Sequence, residues 1–310
     1  MNNIKVVFMG TPVFAVPVLE GLIKDYNVVL VVTQPDKLTG RHQTLEMSPI
    51  KKLALENNID VYQPEKIRLE YEEVLKYEPD IIITCAYGQI IPKEILDYPR
   101  LGCINVHASL LPKLRGGAPI HKAIIDGYDK TGITIMYMDV KMDNGDIIAQ
   151  EETPITDSDN LESLHDRLSI MGKELLLKTL PSILDGSNER IKQDENEVTF
   201  AYNIKREEEH IDFNKKAREV FNLIRGLSPF PGAYMILDDK EFKVYGCTIG
   251  NKTNNKPGVI TNIYKEGIGI STLDGEIILT DIKPFGKKRM SASSYVNGLR
   301  DRDIIGKEIK

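Results

Sequence analysis

The chain lacks tryptophan, and cysteine and histidine are scarce: three cysteines and five histidines occur among its 310 residues. Cys85, Cys103 and Cys247 are odd in number, far apart and form no CxxC pair, which argues against a disulfide framework and a cysteine-based zinc site. Cys85 and Cys103 stand in apolar runs, so we expect buried, unreactive thiols. The histidines form no cluster with acidic residues at metal-ligand spacing, so we expect no metal ion.

Long hydrophobic runs and the common phosphate-binding loops are also missing. No apolar run approaches the ~18 residues of a membrane helix. The opening "MNNIKVVFMG" has no signal-peptide pattern, so we expect a cytoplasmic protein. The first strand is followed by GTPVFA rather than GxGxxG, and GxxxxGK[ST] does not occur. These absences disfavour the usual nucleotide-cofactor enzymes.

Charge is distributed unevenly around a net value of −6. Residues 1–205 contain 22 Lys+Arg and 31 Asp+Glu, whereas residues 206–310 contain 18 and 15. A basic C-terminal part beside an acidic body favours a polyanionic partner. On charge alone, ordinary variation of composition explains the difference equally well.

The first part of the chain alternates between strand-like and helical segments. Apolar, β-branched strands are predicted at 4–10, 26–36, 59–65, 80–88 and 101–109. Segments with apolar residues at helical spacing lie between these strands. Ser48 before Pro49 is a candidate N-cap of one such helix. Nearly continuous apolar strands are typical of parallel sheets covered by helices on both faces. The pattern predicts a doubly wound α/β sheet.

The pattern of predicted secondary structure changes towards the C-terminus. A leucine stripe predicts a helix from Asn160 to Leu180, which Pro181 should end or kink. Short strands separated by Gly, Asn and Asp turns follow a helical segment and suggest a small β-barrel. We therefore predict three parts: a first domain over 1–190, a polar linker over 191–205 and a second domain over 206–310.

The stretch "INVHASLLP" places an amide and an imidazole at the end of a predicted strand. Asn105 and His107 would share one face, because residues i and i+2 of a strand point the same way. An amide and a protonated imidazole can both donate to a negatively charged oxygen. The alternative is a structural pair that pins neighbouring loops.

Three aspartates follow around a predicted Asp-Asn-Gly turn. Asp143 opens this turn, and a carboxylate brought beside His107 would orient the ring and favour its charged form. For Asp139 and Asp146 we prefer roles as turn or cap residues. The spacing does not match a calcium-binding loop. The apolar SLLP segment beside polar donors suits a flat, mostly apolar ligand.

These motifs together resemble those of the 10-formyltetrahydrofolate-dependent formyltransferases. "INVHASLLPKLRGGAPI" and "MDNGDI" resemble the catalytic segments, and "FMGTPVFA", "AYGQIIP" and "IRGLSPFPGA" extend the resemblance over essentially the whole chain. The resemblance implies a Rossmann-like doubly wound, mostly parallel sheet followed by a C-terminal barrel of OB-like fold. It implies catalysis by Asn105, His107 and Asp143 without a metal ion, and folate binding near Ser109, Leu110, Leu111, Pro112, Gln89 and Ile91.

The resemblance also implies an acceptor for the formyl group. The loop over 34–48, with Lys37 and Arg41, resembles the loop of members that formylate methionine on initiator tRNA, with 10-formyltetrahydrofolate as the donor. The C-terminal barrel would help to hold the tRNA, and we expect a monomer. In this chain the loop is less basic after Arg41, Val13 stands where Asp is frequent, and Phe230 stands where Trp is frequent.

Several other functions are compatible with parts of the pattern. The nearest is a sugar-nucleotide N-formyltransferase, which shares the three polar residues, and a catalytically silent folate- or RNA-binding protein is a second alternative. A formate-releasing deformylase, which carries an N-terminal regulatory domain, and the glycinamide ribonucleotide enzyme, which lacks the barrel, fit less well.

Overall fold

The computed structural model describes residues 4–39, 44–299 and 304–309, which fold into two compact units. The first unit comprises Met1–Pro119, Thr131–Thr153 and His165–Tyr202. The second comprises Ile120–Lys130, Pro154–Leu164 and Asn203–Lys310. Each unit is assembled from three separate stretches of chain. Composition and hydrophobic patterning give no indication of this arrangement.

The first unit is built on a seven-stranded sheet. The strands of this part of the chain are β1 (Lys5–Gly10), β2 (Asn27–Val32), β3 (Lys37–Thr39), β4 (Thr44–Glu46), β5 (Val61–Tyr62), β6 (Ile81–Cys85), β7 (Cys103–His107), β8 (Lys130–Tyr137) and β9 (Ile147–Pro154). The sheet order is β5-β2-β1-β6-β7-β8-β9. The first five of these strands run parallel, and β8 is antiparallel to β7. The predicted doubly wound, mostly parallel sheet is confirmed.

The helices of this part of the chain are α1 (Val16–Asp25), α2 (Pro49–Glu56), α3 (Glu72–Leu75), α4 (Lys93–Leu96), α5 (Pro119–Ile125) and α6 (Leu161–Asp185). The predicted N-cap is confirmed, because Ser48 Oγ accepts a hydrogen bond from Lys51 N at 3.0 Å. Within the described residues, no helix is long and apolar enough to cross a membrane.

Helix α6 extends further than predicted. Pro181 lies inside it, and the helix continues to Asp185. Leu176, Leu180 and Ile183 are all buried, so the apolar face continues past the proline. Tertiary packing therefore offsets the lost backbone hydrogen bond that usually ends a helix at proline.

The predicted linker begins as part of the first unit. Ile191 and Ile147 exchange two backbone hydrogen bonds, of 2.8 and 2.9 Å. Ala201 N donates to Arg115 O at 2.7 Å. The polar side chains favour a linker because they cannot fill a core, whereas backbone groups of Ile191 and Ala201 form hydrogen bonds with distant parts of the first unit.

The second unit contains the short strands predicted from the sequence. They are β10 (Ala233–Leu237), β11 (Lys240–Ile249), β12 (Ile260–Ile263), β13 (Ile268–Ser271), β14 (Glu276–Lys283) and β15 (Met290–Ser291), with helices α7 (Ala217–Gly226) and α8 (Ala292–Asn297). The antiparallel order is β10-β11-β14-β13-β12, and β15 pairs with β14. Apolar side chains of the strands and both helices form one buried core.

Polar contacts join the segments Ile120–Lys130 and Pro154–Leu164 to the rest of the second unit. Arg225, which is buried, donates through Nη1 to Thr156 O at 2.6 Å and to Asp159 O at 3.1 Å. Lys122 Nζ lies 2.6 Å from Glu208 Oε1. Contacts between residues this far apart in sequence leave no periodic signal, which explains why patterning could not predict them.

Candidate active site

Three neighbouring parallel strands place their carboxyl ends side by side. Gly10 of β1 pairs with Cys85 of β6, and Thr84 of β6 pairs with Asn105 of β7. Ligands in open α/β sheets bind at such an edge. Beyond it, the Thr11 hydroxyl donates to Tyr87 O at 3.0 Å, which joins the loops that follow β1 and β6.

The side-chain amide of Asn105 is held through its oxygen atom. The Thr84 hydroxyl donates to Asn105 Oδ1 at 2.8 Å, which fixes the oxygen towards β6. Within the described residues, no hydrogen bond occupies Asn105 Nδ2. The amide can therefore donate to an oxygen that enters the crevice.

His107 is held through one ring nitrogen. Its side chain is 6% exposed, and Nε2 lies 3.0 Å from Leu114 O. Because a carbonyl oxygen only accepts, Nε2 carries a proton. The other nitrogen, Nδ1, lies 3.7 Å from Asp143 Oδ2, which is too long for a hydrogen bond and short enough for charge attraction.

Asp143 lies on a turn with unusual backbone geometry. Its φ angle is 48°, a left-handed value that is uncommon for residues with a side chain. Gly116 N donates to Asp143 Oδ2 at 2.8 Å, so the carboxylate is oriented by the loop that follows β7. The structure thus brings together the three residues that the sequence singled out: Asn105 and His107 on β7, and Asp143 beside the ring.

The two other aspartates of this segment have separate partners. Asp139 Oδ1 accepts from Val140 N at 2.6 Å within its own turn. Asp146 Oδ2 lies 2.9 Å from Arg190 Nε. The contact of Asp139 agrees with the turn role that we preferred for it, whereas Asp146 pairs with a distant arginine instead.

The turn also depends on Gly145, and this gives a testable prediction. A Cβ at Gly145 would lie 1.9 Å from Tyr137 O, a backbone atom that cannot move alone. We expect Gly145→Ala to lower the free energy of unfolding by about 1–3 kcal/mol and to displace Asp143. Thermal unfolding and kcat would both report the change. Gly275→Ala, whose Cβ would meet its nearest atom at 3.4 Å, should change neither, and equal effects of the two substitutions would contradict the prediction.

The SLLP segment forms a rigid turn directly after β7. Ser109 Oγ donates to Lys113 O at 2.7 Å. Leu111 N donates to the Thr134 hydroxyl at 3.1 Å, and Gln150 Nε2 donates to Leu111 O at 2.9 Å. The side chains of Ser109 and Leu111 are buried, whereas those of Leu110 and Pro112 are half-buried.

The YGQIIP segment places its side chains on alternating sides. Gln89 Oε1 accepts from Ile67 N at 2.9 Å, and Ile91 is packed in the core. Ile90 between them is 85% exposed. Sequence reasoning missed Ile90, although period-two alternation in an extended segment could have indicated it.

The predicted tRNA loop is described only in part. Lys37 is exposed on the short β3–β4 hairpin, and Arg41 lies outside the described residues. Asp36 anchors the base of this loop, with its carboxylate 2.6 Å from Lys51 Nζ and 2.8 Å from Gln63 Nε2. The hydrogen bond from Lys51, and then that from Gln63, holds the pKa of Asp36 below its usual value.

The cysteines near the sheet are not available for chemistry. Cys85 and Cys103 are buried, as predicted. Burial raises the pKa of Cys103 to about 12 and that of Cys85 as well, which disfavours their reactive thiolate forms. Among the described residues, no group of three or more His, Cys, Asp or Glu side chains is arranged to hold a metal ion.

Known protein families match the chain over most of its length. Residues 3–180 match the formyl transferase family, and residues 203–300 match the formyl transferase C-terminal domain. A chain that carries both of these domains is a formyltransferase, and the protein belongs to the formyl transferase family. It is 48% identical to the methionyl-tRNA formyltransferase of Staphylococcus aureus strain MW2, over 98% of this chain and 99% of that protein.

Solved structures of low sequence identity share the fold. The N-formyltransferase of Helicobacter canadensis, in complex with folinic acid and dTDP-3-aminofucose, has a TM-score of 0.70 at 23% identity, with 91% of this chain and 100% of that chain covered. HypX of Aquifex aeolicus, in complex with tetrahydrofolic acid, has a TM-score of 0.65 at 17% identity, with 95% of this chain and 47% of that chain covered.

Proposed function

We propose that this formyltransferase transfers the formyl group of 10-formyltetrahydrofolate to the α-amino group of methionine on initiator tRNA. The observation that carries this proposal is the full-length, 48% identity to a methionyl-tRNA formyltransferase. The arrangement of Asn105, His107 and Asp143 supports it chemically. The proposal extends to a domain over 206–310 that holds tRNA.

The three polar residues can perform the transfer. The amine attacks the formyl carbon, and a tetrahedral intermediate forms with negative charge on the former carbonyl oxygen. Asn105 Nδ2 and, in the charged ring, His107 Nδ1 donate to this oxygen, while Asp143 stabilises the ring's positive charge. The carbon–N10 bond then breaks, and the proton lost by the amine passes through Asp143 to the departing nitrogen.

The surroundings of these residues fit a folate. The SLLP turn is fixed by its own hydrogen bonds, so it offers a preorganised surface, and Leu110 and Pro112 expose part of their apolar side chains. Exposed Ile90 at the neighbouring strand end adds an apolar contact for a flat ring. We propose that Gln89 and Ile91 contribute through their backbone, because their side chains point inward.

A sugar-nucleotide acceptor is the alternative, since a structure with bound dTDP-3-aminofucose shares the fold. A direct competition separates the two. The enzyme would be incubated with 10-formyltetrahydrofolate and either methionyl initiator tRNA or an amino-sugar nucleotide, and the formylated amine would be identified by mass. We expect formyl-methionine on the tRNA, and formylation of the sugar alone would contradict the proposal.

The tRNA loop can be tested through the salt dependence of KM. Each phosphate that a protein neutralises makes the plot of log affinity against log salt concentration steeper by roughly 0.7–0.9. Lys37→Ala and Arg41→Ala should each raise KM for tRNA and flatten this slope by about that amount per lost contact. Lys24→Ala, which removes an exposed charge at the end of α1, serves as the control. A KM and slope equal to those of the control would contradict the assignment.

Three further properties remain proposals. We propose that the protein is cytoplasmic, where charged initiator tRNA is used, and that it acts as a monomer. We also propose that catalysis needs no metal ion, since amide and imidazolium donors can stabilise the oxyanion. Full activity after chelation is the expected result, and activity restored by an added divalent ion would contradict it.

A further inference from the structure

Gln193 joins two loops of the active site through its side-chain amide. Nε2 donates to the carbonyl oxygens of Asp143 and Gly145, each at 2.8 Å. Oε1 accepts from Arg115 Nε at 3.0 Å and from Arg115 Nη2 at 2.8 Å. A side-chain amide has two N–H donors and two lone pairs, so this bridge uses its complete hydrogen-bonding capacity.

The chemistry of the partners fixes the orientation of the amide. A guanidinium group can only donate, and a backbone carbonyl can only accept. Exchanging Oε1 and Nε2 of Gln193 would therefore set donors against Arg115 and lone pairs against both carbonyls. The bridge has one satisfied arrangement, which gives it a defined geometry.

The bridge acts on Asp143 from two directions. One hydrogen bond from Gln193 holds the carbonyl of Asp143 itself. The left-handed φ of Asp143 is an uncommon conformation, which contacts of this kind stabilise. The other side of the amide holds Arg115, which directly precedes Gly116, the donor to the Asp143 carboxylate. The backbone and the carboxylate of Asp143 therefore share one anchor.

Arg115 needs this partner because its side chain is only 5% exposed. Nη2 also lies 3.0 Å from Glu195 Oε1, whose side chain is 69% exposed. A buried guanidinium is costly unless its donors are satisfied. Gln193, which is half-buried, supplies an uncharged acceptor, and the solvent-exposed Glu195 supplies the balancing charge.

We propose that Gln193 is a positioning residue for formyl transfer, which sets the distance between Asp143 and His107. This inference rests on the roles proposed above for those two residues. Displacement of a reacting group by about 1 Å can cost roughly 100-fold in rate. Gln193 would therefore affect turnover without contacting either substrate.

Gln193→Glu tests the bridge with almost no change of shape. The carboxylate still pairs with Arg115 but cannot donate to the carbonyls of Asp143 and Gly145. We expect kcat to fall by about 10- to 100-fold, with KM for both substrates within about threefold of the unchanged enzyme. Gln193→Met, which removes both sides of the bridge, should lower kcat at least as far.

The matched control is Glu197→Gln in the same segment. Its carboxylate is 62% exposed and lies 3.9 Å from Lys113 Nζ, so its exchange should leave kcat unchanged. Thermal unfolding and the Kd for tetrahydrofolate establish that each variant is folded with an intact folate site. Failure of both Gln193 variants to fold would overturn the proposal, since the bridge would then be structural.

A double-mutant cycle with Asp143→Asn decides whether Gln193 acts through Asp143. We expect Gln193→Glu to have little further effect on kcat in the Asp143→Asn background. A full additional loss in that background, normal kcat for Gln193→Glu, or a change confined to KM would each overturn the proposal. Normal kcat for Asp143→Asn alone would instead refute the proposed role of Asp143, so the two failures are distinguishable.

Discussion

Asn105→Ala is expected to lower kcat by roughly 10²- to 10³-fold, the usual cost of losing one donor to an oxyanion. The Thr84 hydroxyl engages Asn105 Oδ1 and leaves Nδ2 available to donate, and the charge that Nδ2 would meet develops only in the transition state. The Kd for tetrahydrofolate should therefore change little. Single-turnover formylation of methionyl initiator tRNA, with a separate folate titration, measures the two quantities.

Two comparisons make this expectation specific. Thr84→Val removes the bond to Asn105 Oδ1 but leaves Nδ2 present, so kcat should fall by about 2- to 12-fold, the value of one hydrogen bond. Asn57→Ala, at the exposed end of α2, should have no effect on kcat. Near-normal kcat for Asn105→Ala, or a loss explained by weaker folate binding, would show that Asn105 is not an oxyanion donor.

Much of the first unit could be predicted because its signals are local. Continuous apolar strands indicated a parallel sheet, and Ser48 before Pro49 indicated a helix start, since capping depends on neighbours within one turn. The shared face of Asn105 and His107 follows from strand geometry alone. The resemblance then supplied the role of Asp143, which composition could not separate from Asp139 and Asp146.

The remaining features depend on contacts between distant segments. Gln193 lies 50 residues from Asp143 and 78 from Arg115, and a polar segment with no periodicity gave no reason to place it beside them. The same polarity favoured a linker, because side-chain composition does not show where backbone groups pair. The predicted end of α6 at Leu180 was too early for a related reason, since the local backbone preference of Pro181 does not take the buried face of α6 into account.

The contacts of His107 determine which ring nitrogen is available for its proposed role. Leu114 O engages Nε2 of His107, so the nitrogen left for the oxyanion is Nδ1, the one beside Asp143. The backbone of Leu114 has a left-handed φ of 62°, which a sequence motif does not reveal. The turn that contains the SLLP segment thus has two proposed roles, as a surface for the folate and as the chain that turns back to hold His107.

Asp143→Asn is the second substitution with a large expected effect. The amide keeps the size of the side chain and can still accept from Gly116 N through its oxygen, so the turn should be preserved. It removes the negative charge that lies 3.7 Å from His107 Nδ1 and the group proposed to relay a proton. We expect kcat to fall by roughly 10²-fold or more, the scale of lost proton transfer and charge stabilisation.

Asp139→Asn is the matched control, because Asp139 lies in the same segment and bonds only within its own turn among the contacts that the structure describes. Its kcat should stay within about threefold of the unchanged enzyme, as for other exposed turn residues. Both variants would be compared on the same methionyl initiator tRNA, with thermal unfolding and tetrahydrofolate binding measured alongside. If both substitutions lowered kcat equally, or if Asp143→Asn kept its rate, the carboxylate beside His107 would be a turn residue, and proton transfer would have to be assigned to another group.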